Sequence, residues 1–163
     1  MVQEDLTRTL QTLTALAEFE LALAGMYRAC SEQWAQDRPL FDGLEQAEVD
    51  HAECMRRISG LLAACPERYS TGRPLTAAAA RCQVDYVVAR TAEFRSGAVA
   101  QRTALLAMRE IERSILETRF FEIVKTDDPE YHELAGRLRR ETQEHVSMLE
   151  QRLHVNGFGA TTP

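Results

Sequence analysis

The sequence predicts an all-α protein built as one domain, and three observations carry that expectation. Ala, Leu, Glu and Arg, which favour helix, are plentiful, whereas Gly and Pro number only 8 and 5 in 163 residues. Apolar residues recur at alternating spacings of three and four, the period of helices that bury one face. With 45% apolar and 27% charged residues, the chain has enough apolar surface to build a real core.

The first helix is expected from about Glu4 to Gln36, stopping before Arg38-Pro39. Its inward stripe reads Leu13, Leu16, Glu20, Leu23, Tyr27, Cys30 and Trp34. One carboxylate, Glu20, interrupts that seam, and Tyr27 follows two turns later on the same face. In the plainest reading Glu20 is a buried acid tied to an arginine or a water, and Tyr27 is a core aromatic. The second helix is expected over Leu40 to Ala64, with Leu44, Met55, Ile58 and Leu62 facing inward. Glu45, Asp50 and Glu53 fall off that stripe and should be solvated. Cys65-Pro66 ends it, and the run to Pro74 reads as loop.

Leu75 to Arg95 reads as a crossover helix; a helical extension or a dimerisation element fits its pattern equally. After a turn at Ser96-Gly97, a long helix is expected from about Ala98 to Lys125. Its seam is Leu105, Met108, Glu112 and Ile115, with Arg119 two turns beyond the glutamate, placed to neutralise a buried carboxylate. Asp128 as N-cap and Pro129 in the first helical position open the last helix. That helix shows Leu134, Leu138, Thr142, His145, Leu149 and Leu153 on one stripe, stops at Asn156-Gly157, and leaves a loose tail to Pro163. Leu16, Leu23, Met55, Ile58, Met108, Ile115, Leu138 and Leu149 are the expected centre of the core.

Chemistry enters at Glu48-Val49-Asp50-His51. Residues three apart lie about 60° apart around a helix, so Glu48 and His51 project from one face, amid the apolar stripe. Burying a carboxylate and an imidazole is costly unless something satisfies them. A divalent metal ion does so, because both groups ligate first-row metals. A hydrogen-bonded or partly exposed pair explains the same spacing, so the motif does not decide alone.

An internal repeat adds weight. Glu112 lies 92 positions after Glu20 and His145 lies 94 after His51, with neighbouring apolar positions in register both times. Helical periodicity does not make polar exceptions coincide, so the offsets point to a duplicated two-helix unit. The pattern resembles the ferritin-like superfamily, and most closely rubrerythrin-type domains without their rubredoxin module. Glu20 and Tyr27, Glu48-x-x-His51, Glu112 and His145 carry the resemblance. It implies a four-helix bundle over about residues 4–154, with a long crossover between the second and third bundle helices. It also implies a site for two iron or manganese ions, with one Glu from each of two helices and a Glu-x-x-His from each of the others.

The chain departs from that pattern at Thr142, where the last glutamate is expected. Glu141 is one residue out of phase but only about 40° from His145, so it is the candidate replacement ligand. The expected metal set is therefore Glu20, Glu48, His51, Glu112, Glu141 and His145, with Tyr27 as a hydrogen-bond or electron donor beside it. Three readings follow. The first is a di-iron or di-manganese carboxylate centre that reduces dioxygen or hydrogen peroxide, or that handles iron as a ferroxidase. The second is a single-metal site on Glu20, Glu48 and His51, with help from Glu112. The third is a non-catalytic helical scaffold that keeps these residues as a hydrogen-bonded network.

Bulk properties narrow the partners. A net charge of -6 without a clustered basic face argues against nucleic acid. No stretch approaches the roughly 20 apolar residues of a membrane span. Met-Val-Gln-Glu-Asp lacks the basic start and apolar run of a signal peptide, so a cytoplasmic location is expected. Cys30, Cys54, Cys65 and Cys82 form no Cys-x-x-Cys, which excludes a rubredoxin centre and leaves mostly buried, reduced thiols. A redox role would then need a separate electron donor, and the resemblance implies a homodimer.

Overall fold

The computed structural model describes residues 3–155. Among them are five α-helices: α1 (Gln3–Gln33), α2 (Arg38–Ala64), α3 (Ala77–Arg95), α4 (Gln101–Thr118) and α5 (Pro129–Leu153). A two-stranded antiparallel ribbon, β1 (Ser70–Thr71) with β2 (Val124–Lys125), is the only strand structure among the described residues. The all-α expectation holds apart from that ribbon. No described helix is long and apolar enough to cross a membrane.

Packing follows from the seams. Arg28–Glu45 and Ser31–Asp42 contacts lay α2 antiparallel beside α1. The chain then returns parallel to α1: Thr12 contacts Leu75 at one end, and the Trp34 and Phe94 rings meet 6.4 Å apart at the other. This return is α3, which packs along α1 through Ala80, Val87, Thr91 and Phe94. Next, α4 runs antiparallel to α1, with Cys30 Sγ 3.7 Å from Met108 Sδ. Finally α5 pairs with α4 and crosses α2 in the opposite direction, from Arg57–Glu130 to Asp37–Arg152. All eight residues expected at the centre are buried. Burial pushes the Cys30 thiol up to about 12, so it packs as a small apolar group. Cys54 is buried too, but Cys65 is only half-buried and Cys82 is exposed.

Several boundaries differ from expectation. α1 ends at Gln33, and Ala35–Asp37 form a 3₁₀ turn. There the buried Asp37 accepts from Arg152 and Gln101, tying the α1–α2 turn to the start of α4 and the end of α5. α4 stops at Thr118, not Lys125, because Arg119 adopts a left-handed backbone (φ 49°, ψ 44°) and a 3₁₀ turn follows. Arg119 is exposed and faces Glu122 at 3.7 Å, so it neutralises no buried carboxylate. The segment after Cys65 is not open loop: Gly72 packs so tightly on the Glu122 carbonyl that a Cβ there would sit 2.2 Å from its oxygen. Asp128 caps α5 as expected, its Oδ1 accepting from the amides of Glu130 and Tyr131, with Pro129 in the first position. The expected stop at Asn156-Gly157 and the tail lie outside the described residues.

Candidate metal centre

Four helices bring five titratable side chains to one buried place. Glu20 comes from α1, Glu48 and His51 from α2, Glu112 from α4 and His145 from α5, none more than 2% exposed. In α2 the three-residue spacing sets His51 Nδ1 2.9 Å from Glu48 Oε2. The other oxygen of the same carboxylate, Oε1, lies 2.8 Å from His145 Nδ1. Glu48 therefore sits between two imidazoles whose rings stack 5.2 Å apart. His145 Nδ1 is also 3.4 Å from Glu112 Oε1. Glu48, His51 and His145 together present ligand atoms all within 4.8 Å of one another.

What these atoms lack is as informative as what they touch. Glu20 Oε2, Glu48 Oε1, Glu112 Oε2 and His145 Nδ1 are buried with no aligned hydrogen-bond partner among the described residues. Orphaned buried polar atoms are rare, because each forfeits about 1–3 kcal/mol of solvation. Belonging to side chains that meet in one buried cluster, these atoms make a donor set that a cation would satisfy. Carboxylate oxygen and imidazole nitrogen are also the mix that suits iron, manganese or zinc.

Without a cation the cluster holds protons. Burial first, and then the Glu112 charge, push Glu48 up to about 8, although its contact with His145 pulls the other way. Glu20 is raised well above the usual carboxylate range by burial and by Glu48. Burial would lower His145, but Glu112 and Glu48 outweigh it and raise it to about 10. Both Glu48 and His145 thus keep a proton in the folded chain that the unfolded chain has lost. Stability must then fall as pH rises across that window, which runs from 4.5 to about 8 for Glu48 and from 6.5 to about 10 for His145. The metal-free chain is expected to melt at steadily lower temperature from pH 6.5 upward. Circular-dichroism melts in chelator check this, and a rising or flat melting temperature refutes it.

Glu141 lies outside the cluster. Its side chain is 30% exposed, and its Oε2 is 3.0 Å from His51 Nε2, on the far side of the ring from Glu48. Arg137, one turn earlier in α5, holds the other oxygen at 2.9 Å. Burial, the largest single influence, would raise this carboxyl, but the Arg137 bond, the Arg137 charge and the contact with His51 together outweigh it, so Glu141 stays ionised and accepts. A neutral imidazole has one N–H. Donated to Glu141, it leaves the Nδ1 lone pair facing inward, the arrangement that outer carboxylates impose on metal-binding histidines. Glu141 therefore orients His51 rather than reaching into the cluster. Arg137, whose part the sequence reading missed, was signalled only by its four-residue spacing from Glu141.

Thr142 is buried, but its hydroxyl turns back to the Leu138 carbonyl, 2.9 Å away. It offers nothing to the cluster. Tyr27, fully buried, donates to Glu112 Oε1 at 2.6 Å, so its hydroxyl touches the cluster through one carboxylate. Burial, followed by the Glu112 charge, raises the phenol well above its ordinary range and keeps it protonated.

Comparison with protein-family models, with curated proteins and with solved structures gave no match to this chain.

Proposed function

We propose that the chain is a non-haem metal-carboxylate protein whose centre binds redox-active divalent ions, iron or manganese. On this reading the helices form a ferritin-like bundle, with α3 as the crossover between its second and third members. The observation that carries the reading is Glu48 spanning two imidazole nitrogens while two neighbouring carboxylate oxygens, Glu20 Oε2 and Glu112 Oε2, are buried without partners. A structural network of the same residues would pair those atoms with one another or with an arginine. Glu48 Oε1 and His145 Nδ1 do face each other at 2.8 Å, but Glu20 Oε2 and Glu112 Oε2 have neither an arginine nor any other partner among the described residues.

Fe(II) or Mn(II) held there would supply electrons to dioxygen or hydrogen peroxide, as in ferroxidase or peroxidase chemistry. The chain's own residues set the conditions. Glu48 offers one oxygen toward each histidine, which suits a carboxylate shared by two ions. His51 is oriented from outside by Glu141 and Arg137. Tyr27 holds a proton 2.6 Å from Glu112 and can give it, or an electron, to a group bound beside that carboxylate. Burial excludes bulk water, which strengthens every charge interaction inside. Reducing equivalents would come from a separate donor, and two copies of the chain would pair as a dimer.

A single-ion version is favoured by one observation. Thr142 and Glu141 both turn away, leaving the Glu112–His145 side one carboxylate short. Glu48, His51 and His145 then form a two-histidine, one-carboxylate set for one ion.

Metal analysis after aerobic purification, paired with stopped-flow oxidation of added Fe(II) by dioxygen and by peroxide, tests the proposal. Bound iron or manganese is expected, with Fe(II) oxidised faster than in buffer alone. His51→Ala should lose both effects while keeping the helical spectrum. Equal metal content in wild type and variant, or no acceleration in either, would sink it.

A further inference from the structure

A second feature lies at the other end of α4 from Gln101. Between the 66–73 connection, the 119–127 connection and the outer face of α5 opens a groove of about 1050 Å³, the size of a small-molecule site. Five basic side chains line it: Arg68, Arg73, Arg119, Lys125 and Arg139. The chain as a whole carries -6, so this is a local reversal of sign. Arg68 pairs with Asp128 and Arg119 weakly with Glu122. Arg73, Lys125 and Arg139 have no carboxylate partner among the described residues, and three acids, Glu67, Glu122 and Asp127, share the lining with the five basic side chains.

The walls are built rather than loose. Gly72 donates to the Ile123 carbonyl at 2.9 Å, and the Arg73 amide to the Glu122 carbonyl at 2.7 Å. Only glycine permits that approach, since a Cβ would clash with backbone on the facing segment. Tyr69 donates to Asp128 at 2.8 Å, and Tyr131 donates to the Phe121 carbonyl at 2.9 Å, so both connections are pinned to α5. Arg119 holds a left-handed backbone (φ 49°) that glycine adopts more readily than an arginine does.

We infer that this groove is a ligand site of its own, separate from the buried cluster, and that it takes a small phosphate-rich anion. Guanidinium forks match phosphate oxygens two at a time, and a preorganised recess spares the cost of ordering the walls on binding. Two linked phosphates present more anionic oxygens to these separate cationic side chains than a single phosphate does.

Pyrophosphate is the probe, titrated calorimetrically into the full chain after chelator washing, so the result does not depend on whether the cluster binds metal. Saturable binding of one equivalent is expected, weaker at high salt, and weaker still for inorganic phosphate. Arg139→Glu and Arg73→Glu should each weaken it by about tenfold or more, the loss of one charged hydrogen-bonding contact. Arg56→Glu, on the outer face of α2, should leave it unchanged. Amide resonances of the labelled wild type give a readout that needs no variant, and Gly72, Lys125 and Gly136 should shift. No saturable binding at millimolar pyrophosphate, equal weakening by Arg56→Glu, or shifts confined elsewhere would overturn the inference.

Discussion

Glu20→Leu is expected to raise the melting temperature of the metal-free chain and, in the same protein, to strip the metal from the loaded one. Glu20 is buried and its Oε2 has no partner, so in the apo chain its desolvation and the nearby Glu48 charge are met by only part of the bonding its carboxyl can make. Removing a buried polar atom that lacks a partner recovers its desolvation penalty, about 1–3 kcal/mol. For a chain of this length each kilocalorie moves the melting temperature by about 2–4 °C. Loaded with metal, the sign should reverse, because the variant lacks a ligand. Thermal melts with and without Fe(II) read both halves. If Glu20→Leu melts lower in chelator, the acid belongs to a stabilising network, and the scaffold reading replaces the metal one.

Thr142→Glu should create a second tight metal equivalent. Position 142 is buried on the same stripe as His145, and the threonine hydroxyl there is engaged with the Leu138 carbonyl. A glutamate at 142 would point its carboxylate toward the side of the cluster that Glu112 and His145 now occupy alone. Glu141→Ala should act differently, weakening the first equivalent about 10–100-fold, as loss of an orienting outer carboxylate does. It should not empty a separate second site. Anaerobic Fe(II) titrations of the three proteins separate these outcomes. A Glu141→Ala protein that binds the first ion normally but loses a second would restore Glu141 as a direct ligand.

Much of the cluster was legible because burial leaves a strong mark on sequence. Glu20, Glu48, His51, Glu112 and His145 each interrupt an otherwise apolar stripe, and every one of them is buried. The N-cap at Asp128 was legible for a similar reason: its chemistry and position are local. Glu141 was harder. Helical geometry put it within reach of the interior, but spacing cannot tell which nitrogen of His51 it meets, nor that Arg137 draws it outward. The early end of α4 gave no signal, since Arg119 carries none of the glycine or asparagine that usually marks a left-handed cap. The ribbon is two residues per strand, too short for any alternation to register, and its tight contact at Gly72 depends on a segment fifty residues away.

α1 is 31 residues long and is flanked by both α2 and α3, whereas α4 has 18 residues and its broadest packing is with α5 alone. The two halves of the repeat are thus unequally buttressed, and partial opening should begin in the thinner one. An ion held by Glu20, Glu48 and His51 on one side and by Glu112 and His145 on the other would act as a rivet between them. Amide protons of α4 and α5 would then trade with deuterium sooner in chelator than with metal, while those of α1 change little. Metal release and the breathing of the weaker hairpin would be one event seen from two sides.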